Sequence, residues 1–279
     1  MNSDALEAIK DAVANREPDF LQPDYPDYTG DDGLLHCGMC GTAKQVRIPE
    51  PFNCTMPCMC KCESERYEAA QEAKRQRDMQ YSIERNRQDA FRGTTMAGCT
   101  FAADDCRNSK LTKLARNYAD KFSRDSFWLI LHGDVGTGKS YAAAAIVNAL
   151  LDRGLTARFT SISLIERELW DATSKAEVYN SLSQCDLLVL DDLGTQRNTD
   201  YMNEILFNVL DDRLRSGKPM IVTTNLTPAD ILNPQDVAMQ RIMSRLCERS
   251  APFKCDGKDR RKEAMMQNAA KLIGGILDG

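Results

Sequence analysis

The chain has 279 residues, 28% of them charged and 42% hydrophobic, enough apolar side chain for one large domain or a domain with a small appendage. Acidic residues number 41 and basic ones 36, so the net charge of −5 excludes a global basic field and leaves nucleic acid only a local patch to bind. No apolar run reaches the roughly 18 residues that span a bilayer, and Met1 to Lys10 lacks a basic segment followed by an apolar core, so a cytoplasmic protein without a membrane anchor is expected.

Residues 1–36 form an acidic N-terminal segment, relieved only by Lys10 and Arg16. Leu6, Ile9 and Val13 lie at helical spacing and predict a short helix over Ser3 to Ala14. Pro18 to Gly33 is rich in Pro, Asp, Tyr and Gly and reads as a loop or tether. Six of the eleven cysteines then crowd between residues 37 and 62: Cys37, Cys40, Cys54, Cys58, Cys60 and Cys62. On a chain with no export signal, such a cluster reads as a metal site rather than a disulfide scaffold. Residues 63–94 are strongly charged and free of Pro and Gly as far as Arg92, and predict a linker helix with few apolar positions.

Residues 95–279 read as one domain. Leu111, Leu114, Ala115, Tyr118 and Phe122 mark one face of a helix. Phe127 to His132 is an apolar strand, Tyr141 to Leu151 an Ala-rich helix, and Ala157 to Ile162 a second strand. Leu187 to Leu190 reads as a buried strand, Tyr201 to Leu214 as a helix, and Met220 to Thr224 as another strand. Strands alternating with helices predict an α/β fold with a parallel sheet covered on both faces.

The sharpest motif is Gly133-Asp134-Val135-Gly136-Thr137-Gly138-Lys139-Ser140, a phosphate-binding loop G-x-x-x-x-G-K-[ST] with an apolar strand entering it and a helix leaving it. The glycines let the backbone curl and turn its N–H groups inward, and the following helix adds its positive end. Lys139 is placed to meet the β- and γ-phosphates of ATP and Ser140 to ligate Mg²⁺. Leu187 to Leu190 ends in Asp191 and Asp192. Asp191 is the candidate Mg²⁺ partner and Asp192 the candidate base that orients the attacking water. Asn225 follows the Met220 to Thr224 strand; if that strand lies between the strand entering the phosphate loop and the strand ending in Asp191, its amide reaches the γ-phosphate and the attacking water.

These motifs, in this order, resemble the AAA+ ATPases, and more narrowly the DnaC-type replicative helicase loaders and the related IstB-type transposition helpers. The stretches that narrow it are Arg241-Ile242-Met243-Ser244-Arg245-Leu246 and Gly257-Lys258-Asp259-Arg260-Arg261. The resemblance covers roughly residues 95–262 and implies a P-loop core without a full lid domain. It implies that Arg245 acts in trans in a neighbour's ATP site, and that Arg261 senses the γ-phosphate in cis, with Arg260 as the fallback. Thr100-Phe101 is placed over the adenine on the same ground. It further implies self-assembly into an open ring or spiral, ATP, Mg²⁺ and Zn²⁺ as cofactors, and two partners, a hexameric replicative helicase and single-stranded DNA.

Loaders of this kind carry an amino-terminal zinc module ending in Pro-Cys-x-Cys, matched by Pro57-Cys58-Met59-Cys60. Residues 37–62 are read as that module, with Cys37, Cys40, Cys58 and Cys60 as ligands, Cys62 in reserve and Cys54 last. Which four of the six bind metal stays open, and His36 is a further donor beside Cys37. The expected function is ATP-dependent loading of a replicative helicase onto single-stranded DNA. A transposition helper is the nearest alternative, opposed by the zinc module and the lack of a basic amino-terminal region. A nucleotide-gated adaptor with negligible turnover is kept open by Asp192, which is shorter than the Glu often found there. A small-molecule kinase is disfavoured by the arginine pattern.

Overall fold

The computed structural model describes residues 25–105, 109–195, 199–234, 236–257, 259 and 260, with 262, 265 and 269 beyond them. The helix expected over Ser3 to Ala14 and the arginine expected at 261 lie outside the described residues. The chain divides into two compact units, residues 1–78 and 79–279.

In the first unit, β1 (Tyr28–Thr29) pairs antiparallel with β2 (Leu35–His36), and β3 (Gln45–Ile48) with β4 (Cys54–Pro57). Both hairpins are short and bury little apolar side chain, so something other than a hydrophobic core must hold this unit. Helix α1 (Lys61–Ala90) starts here and ends in the second unit. Within that second unit Ala90 and Phe91 are buried in the core, and Arg87 bonds Asn148 (3.1 Å) and Asp152 (2.5 Å). The end of the charged helix is thus packed in the core of the second unit by two buried side chains, too sparse to show as a periodic stripe.

The second unit contains α2 (Ser109–Asp120), β5 (Trp128–His132), α3 (Lys139–Asp152), β6 (Ala157–Thr160), α4 (Ile162–Asp171) and α5 (Lys175–Gln184). Then come β7 (Leu187–Leu193), α6 (Asp200–Ser216), β8 (Met220–Thr224), α7 (Pro228–Leu232), α8 (Val237–Cys247) and β9 (Ser250–Lys254). The strands form one parallel sheet in the order β6-β7-β8-β5-β9. Alternation along each strand sorts the core into two layers. Leu129, Leu131, Leu187, Val189 and Ile221 face α2, α3 and the end of α1. Trp128, Ile130, Leu188, Leu190 and Val222 face α4, α5, α6 and α8.

Sequence patterning missed α4, α5, α7 and β9. Three are helices of ten residues or fewer, fixed by caps: Ser161 and Ser174 accept the first-turn N–H groups of α4 and α5, and Thr227 forms a capping box on α7. Strand β9 carries Pro252, which argues against a strand, but it is an edge strand bonded only to β5, where a missing N–H is tolerated. Among the described residues no helix is long and apolar enough to cross a membrane.

Candidate functional site

Strand β8 lies between β7 and β5, so their carboxyl ends bring Asn225, the Asp191-Asp192 pair and the phosphate loop together, where parallel α/β sheets bind ligands. A cavity of about 550 Å³ opens there. Residues 135–141, Asp191, Asp192, Thr223 and Asn225 line it, with Met96, Cys99 and Arg260. Gly133 has φ +140° and Gly136 φ +80°. A Cβ on Gly133 would lie 2.5 Å from the Cys255 carbonyl, and one on Gly136 2.0 Å from Asp259 Oδ1, so both positions require glycine.

Lys139 opens α3 and is buried. Its ammonium donates to the carbonyls of Gly133 (2.8 Å) and Asp134 (2.7 Å) and to Asn225 Oδ1 (2.9 Å). Burial pulls its pKa below the usual lysine value, against the opposing pull of nearby acids including Asp192, Asp134 and Asp191. Asn225 is thus tied to Lys139 through its oxygen, and its Nδ2 donates to Asp192 Oδ1 at 3.4 Å.

The β7–β8 register slips by one residue between Leu190 and Leu193, so Asp191 and Asp192 together oppose the single Thr223. This bulge puts Asp192 at φ +59°, a left-handed conformation uncommon for a side chain other than glycine. The Thr223 hydroxyl, in a residue only 1% exposed, joins the two acids: it accepts from the Asp192 N–H (2.9 Å) and donates to Asp191 Oδ1 (2.6 Å). Burial raises the pKa of Asp191, while hydrogen bonds from Thr223 and Ser140 oppose the rise. Ser140 and Asp191 are therefore in contact, a hydroxyl and a carboxylate of the kind Mg²⁺ takes as ligands.

Thr223 was missed in the sequence; its signal was the pair of hydroxyls, Thr223 and Thr224, that ends an apolar strand. Met96 and Cys99, not Thr100-Phe101, line the cavity from the segment before α2. The Phe101 ring packs against the core and lies under the Arg116 guanidinium, 4.9 Å from centroid to Cζ. Arg260, the fallback of the sequence reading, lines the cavity. Arg245 sits on α8, half-exposed and 3.5 Å from Asp211 Oδ1, and is not among the residues lining this cavity; Arg241 is exposed one turn earlier.

In the first unit, four thiols converge: the Sγ atoms of Cys37, Cys40, Cys60 and Cys62 all lie within 4.8 Å of one another. Cys37–Cys62 and Cys60–Cys62 are 3.6 and 3.3 Å apart. Four sulfurs at ~2.3 Å from a tetrahedral Zn²⁺ stand ~3.8 Å apart, so the spacing fits a zinc-sized ion. Cys62 takes the place expected of Cys58, which is exposed with its Sγ near the Ala43 carbonyl (3.6 Å). The reason is the start of α1: Thr42 Oγ1 accepts from Lys61 N (2.9 Å), and the turn it fixes carries Cys62 back toward Cys60. The same hydroxyl contacts Cys40 Sγ (3.0 Å) and is the main reason that thiol is pulled down to about 5. Neighbouring thiols, Cys60 first, push Cys62 up to about 12. Cys54 is exposed, and His36 stacks on Tyr28 and bonds Asp32 and Gly41 instead of joining the cluster.

The family described as IstB-like ATP binding protein matches residues 67–268, more than half of the chain, and the chain belongs to it. Among curated proteins, the chain is 33% identical over 137 residues to the replicative helicase loader DnaC of Escherichia coli, covering 47% of this chain and 55% of that protein. It is 27% identical over 146 residues to the replicative helicase loader DnaI of Bacillus subtilis, 48% and 47% of the two chains. It is 31% identical over 134 residues to an ATP-binding protein in an insertion sequence of Mycobacterium tuberculosis, 46% and 53%. The chain thus spans about half the length of the curated relatives it matches. A crystal structure of DnaI is similar at 24% identity, over 58% of this chain and 89% of that one, with a TM-score of 0.49.

Proposed function

We propose that this chain is a Mg²⁺-dependent ATPase that loads a replicative DNA helicase onto single-stranded DNA. The observation that carries the reading is the meeting of Lys139, Ser140, Asp191, Asp192 and Asn225 around one cavity, in a chain similar to two replicative helicase loaders. Lys139 exchanges its carbonyl partners for the β- and γ-phosphates. Ser140 and Asp191 hold Mg²⁺, which when bound neutralises charge on those phosphates. Asp192 and Asn225 orient the attacking water. Arg245, which does not line this cavity in its own chain, supplies the guanidinium of a neighbour's site, which requires an open ring or spiral of copies.

The four-thiol cluster is read as a zinc site whose metal substitutes for a hydrophobic core. Residues 37–62 form the zinc module, and with the charged helix they grip the helicase in the cytoplasm. The core from the end of that helix onward, 95–279 by its motifs, is the ATPase domain. On α4, Trp170 is 85% exposed with Arg167 exposed on the same helix, and Leu169, Trp170, Lys175 and Tyr201 line an open surface hollow. Exposed rings among cations suit base stacking and backbone contact along a single strand, in a protein of net charge −5.

The family match and the insertion-sequence relative favour a second reading, a transposition helper. The test is a purified mixture of this chain, its cognate replicative helicase and single-stranded DNA coated with binding protein. Helicase should be delivered to the DNA only with this chain present. Lys139→Ala should abolish ATP turnover. Delivery unchanged by omitting the chain refutes the loader reading, and no ATP hydrolysis with helicase and DNA present leaves only a nucleotide-gated adaptor.

A further inference from the structure

Residues 97–105, of which Cys99 lines the cavity, form a strap pinned by side chains of the core. Tyr141 Oη donates to the Thr100 carbonyl (2.9 Å), Arg116 Nη2 to the Phe101 carbonyl (2.7 Å), and Asn148 Nδ2 to the Cys99 carbonyl (2.9 Å). At the end of this strap stands Asp104, whose side chain is only 6% exposed. Its Oδ2 accepts from the Thr112 hydroxyl on α2 (2.5 Å), and its Oδ1 faces Arg260 Nη1 at 3.7 Å. Asp105 Oδ1 is 3.4 Å from the same nitrogen but is 46% exposed, where an ion pair is worth little.

Arg260 is fixed at both ends. Its backbone N–H donates to the Gly136 carbonyl (3.1 Å), and its Cζ would lie 3.4 Å from a Cβ on Gly138, so the guanidinium stands against the phosphate loop itself. A planar fork of donors at that place suits phosphate oxygens. A long side chain reads a phosphate well only if its rotamer is settled before the ligand arrives, because ordering it on binding costs affinity.

We propose that Asp104 is a positioning residue that holds the Arg260 guanidinium at the phosphate loop, so that discrimination between ATP and ADP depends on this buried carboxylate. The inference rests on the cavity being an ATP site. On that reading the partner of Arg260 is the terminal phosphate, which ADP lacks, so that loosening the arginine weakens ATP and spares ADP. The strap between α1 and α2 thereby becomes coupled to the nucleotide state through one ion pair.

The test is calorimetric binding of ADP and of a non-hydrolysable ATP analogue, with Mg²⁺, to the full chain and its variants. Asp104→Asn should weaken the ATP analogue about tenfold, within the range of coupling between two contacting side chains, with ADP changed less than about twofold. Arg260→Ala should show the same selective loss, and the double variant should be no weaker than Arg260→Ala alone, because both act through one group. Asp105→Asn should cost less than Asp104→Asn. If Asp104→Asn does not fold, Thr112→Val takes its place, with a selective loss of about threefold that Thr112→Ser restores. Equal changes for both nucleotides, additive losses in the double variant, or an unchanged ATP preference overturn the inference. A wild-type chain that binds neither nucleotide overturns the ATP-site reading instead.

Discussion

Replacing Thr223 by Val removes one hydroxyl and keeps the volume, so the sheet does not collapse around a cavity. Two interactions go: the 2.6 Å donation to Asp191 Oδ1 and the 2.9 Å acceptance from the Asp192 N–H. A hydrogen bond to a charged group is worth about 1.5–3 kcal/mol and one to a neutral amide about 0.5–1.5 kcal/mol. The first term dominates, because Asp192 is exposed and its N–H can turn to water, whereas Asp191 is partly buried and Thr223 almost wholly so. Free to rotate, Asp191 loses the orientation toward Ser140 on which Mg²⁺ binding depends. The Mg²⁺ concentration for half-maximal ATP hydrolysis should rise by roughly 10- to 100-fold, with ADP binding measured without Mg²⁺ unchanged. Thr223→Ser should recover most of the loss, since it returns the hydroxyl without the methyl. A Val variant with wild-type Mg²⁺ dependence would refute the idea that this bridge orients Asp191.

Three further outcomes follow from the geometry. Burial raises the Asp191 pKa, so the native state holds its proton more tightly than the unfolded chain, and stability from this group is lost as pH rises through the native value. Asp191→Asn should therefore raise the melting temperature more at pH 7 than near pH 4 while abolishing Mg²⁺-dependent turnover; a lower melting temperature at pH 7 contradicts the burial argument. Protein prepared without chelator should carry about one zinc per chain by elemental analysis. Cys62→Ser should lose it and Cys58→Ser retain it, and the reverse result would restore the pattern expected from the sequence. Arg245→Ala should bind ATP but lose hydrolysis stimulated by assembly, and mixing it with Lys139→Ala should recover part, because one chain keeps the pocket and the other the arginine. No recovery in demonstrated mixed assemblies means Arg245 acts within its own subunit.

What the sequence alone settled about this protein is the local chemistry. The spacing of Gly133 to Ser140 dictates a backbone that curls around phosphate, because only glycine tolerates the positive φ and close contacts at 133 and 136. The apolar runs at Leu187 and Met220 predict buried parallel strands, because their side chains cannot face water on either side. The cysteine crowd predicts a metal, because four thiolates at such short spacings suffice for a closed tetrahedral site. What only the tertiary structure decided is which distant groups meet. Cys62 displaces Cys58 through a turn fixed by Thr42, twenty residues earlier in the chain. Thr223 becomes part of the site because a one-residue bulge in β7 sets two acids against it. Arg213, wholly buried, donates to the carbonyls of Leu182, Ser183, Cys185, Asp186 and Pro219, pinning α6 to the turns before β7 and β8. In sequence it is one more charge at a helix end. Such contacts depend on strand register and chain reversal, which follow from how whole elements pack and leave no periodic trace along the chain.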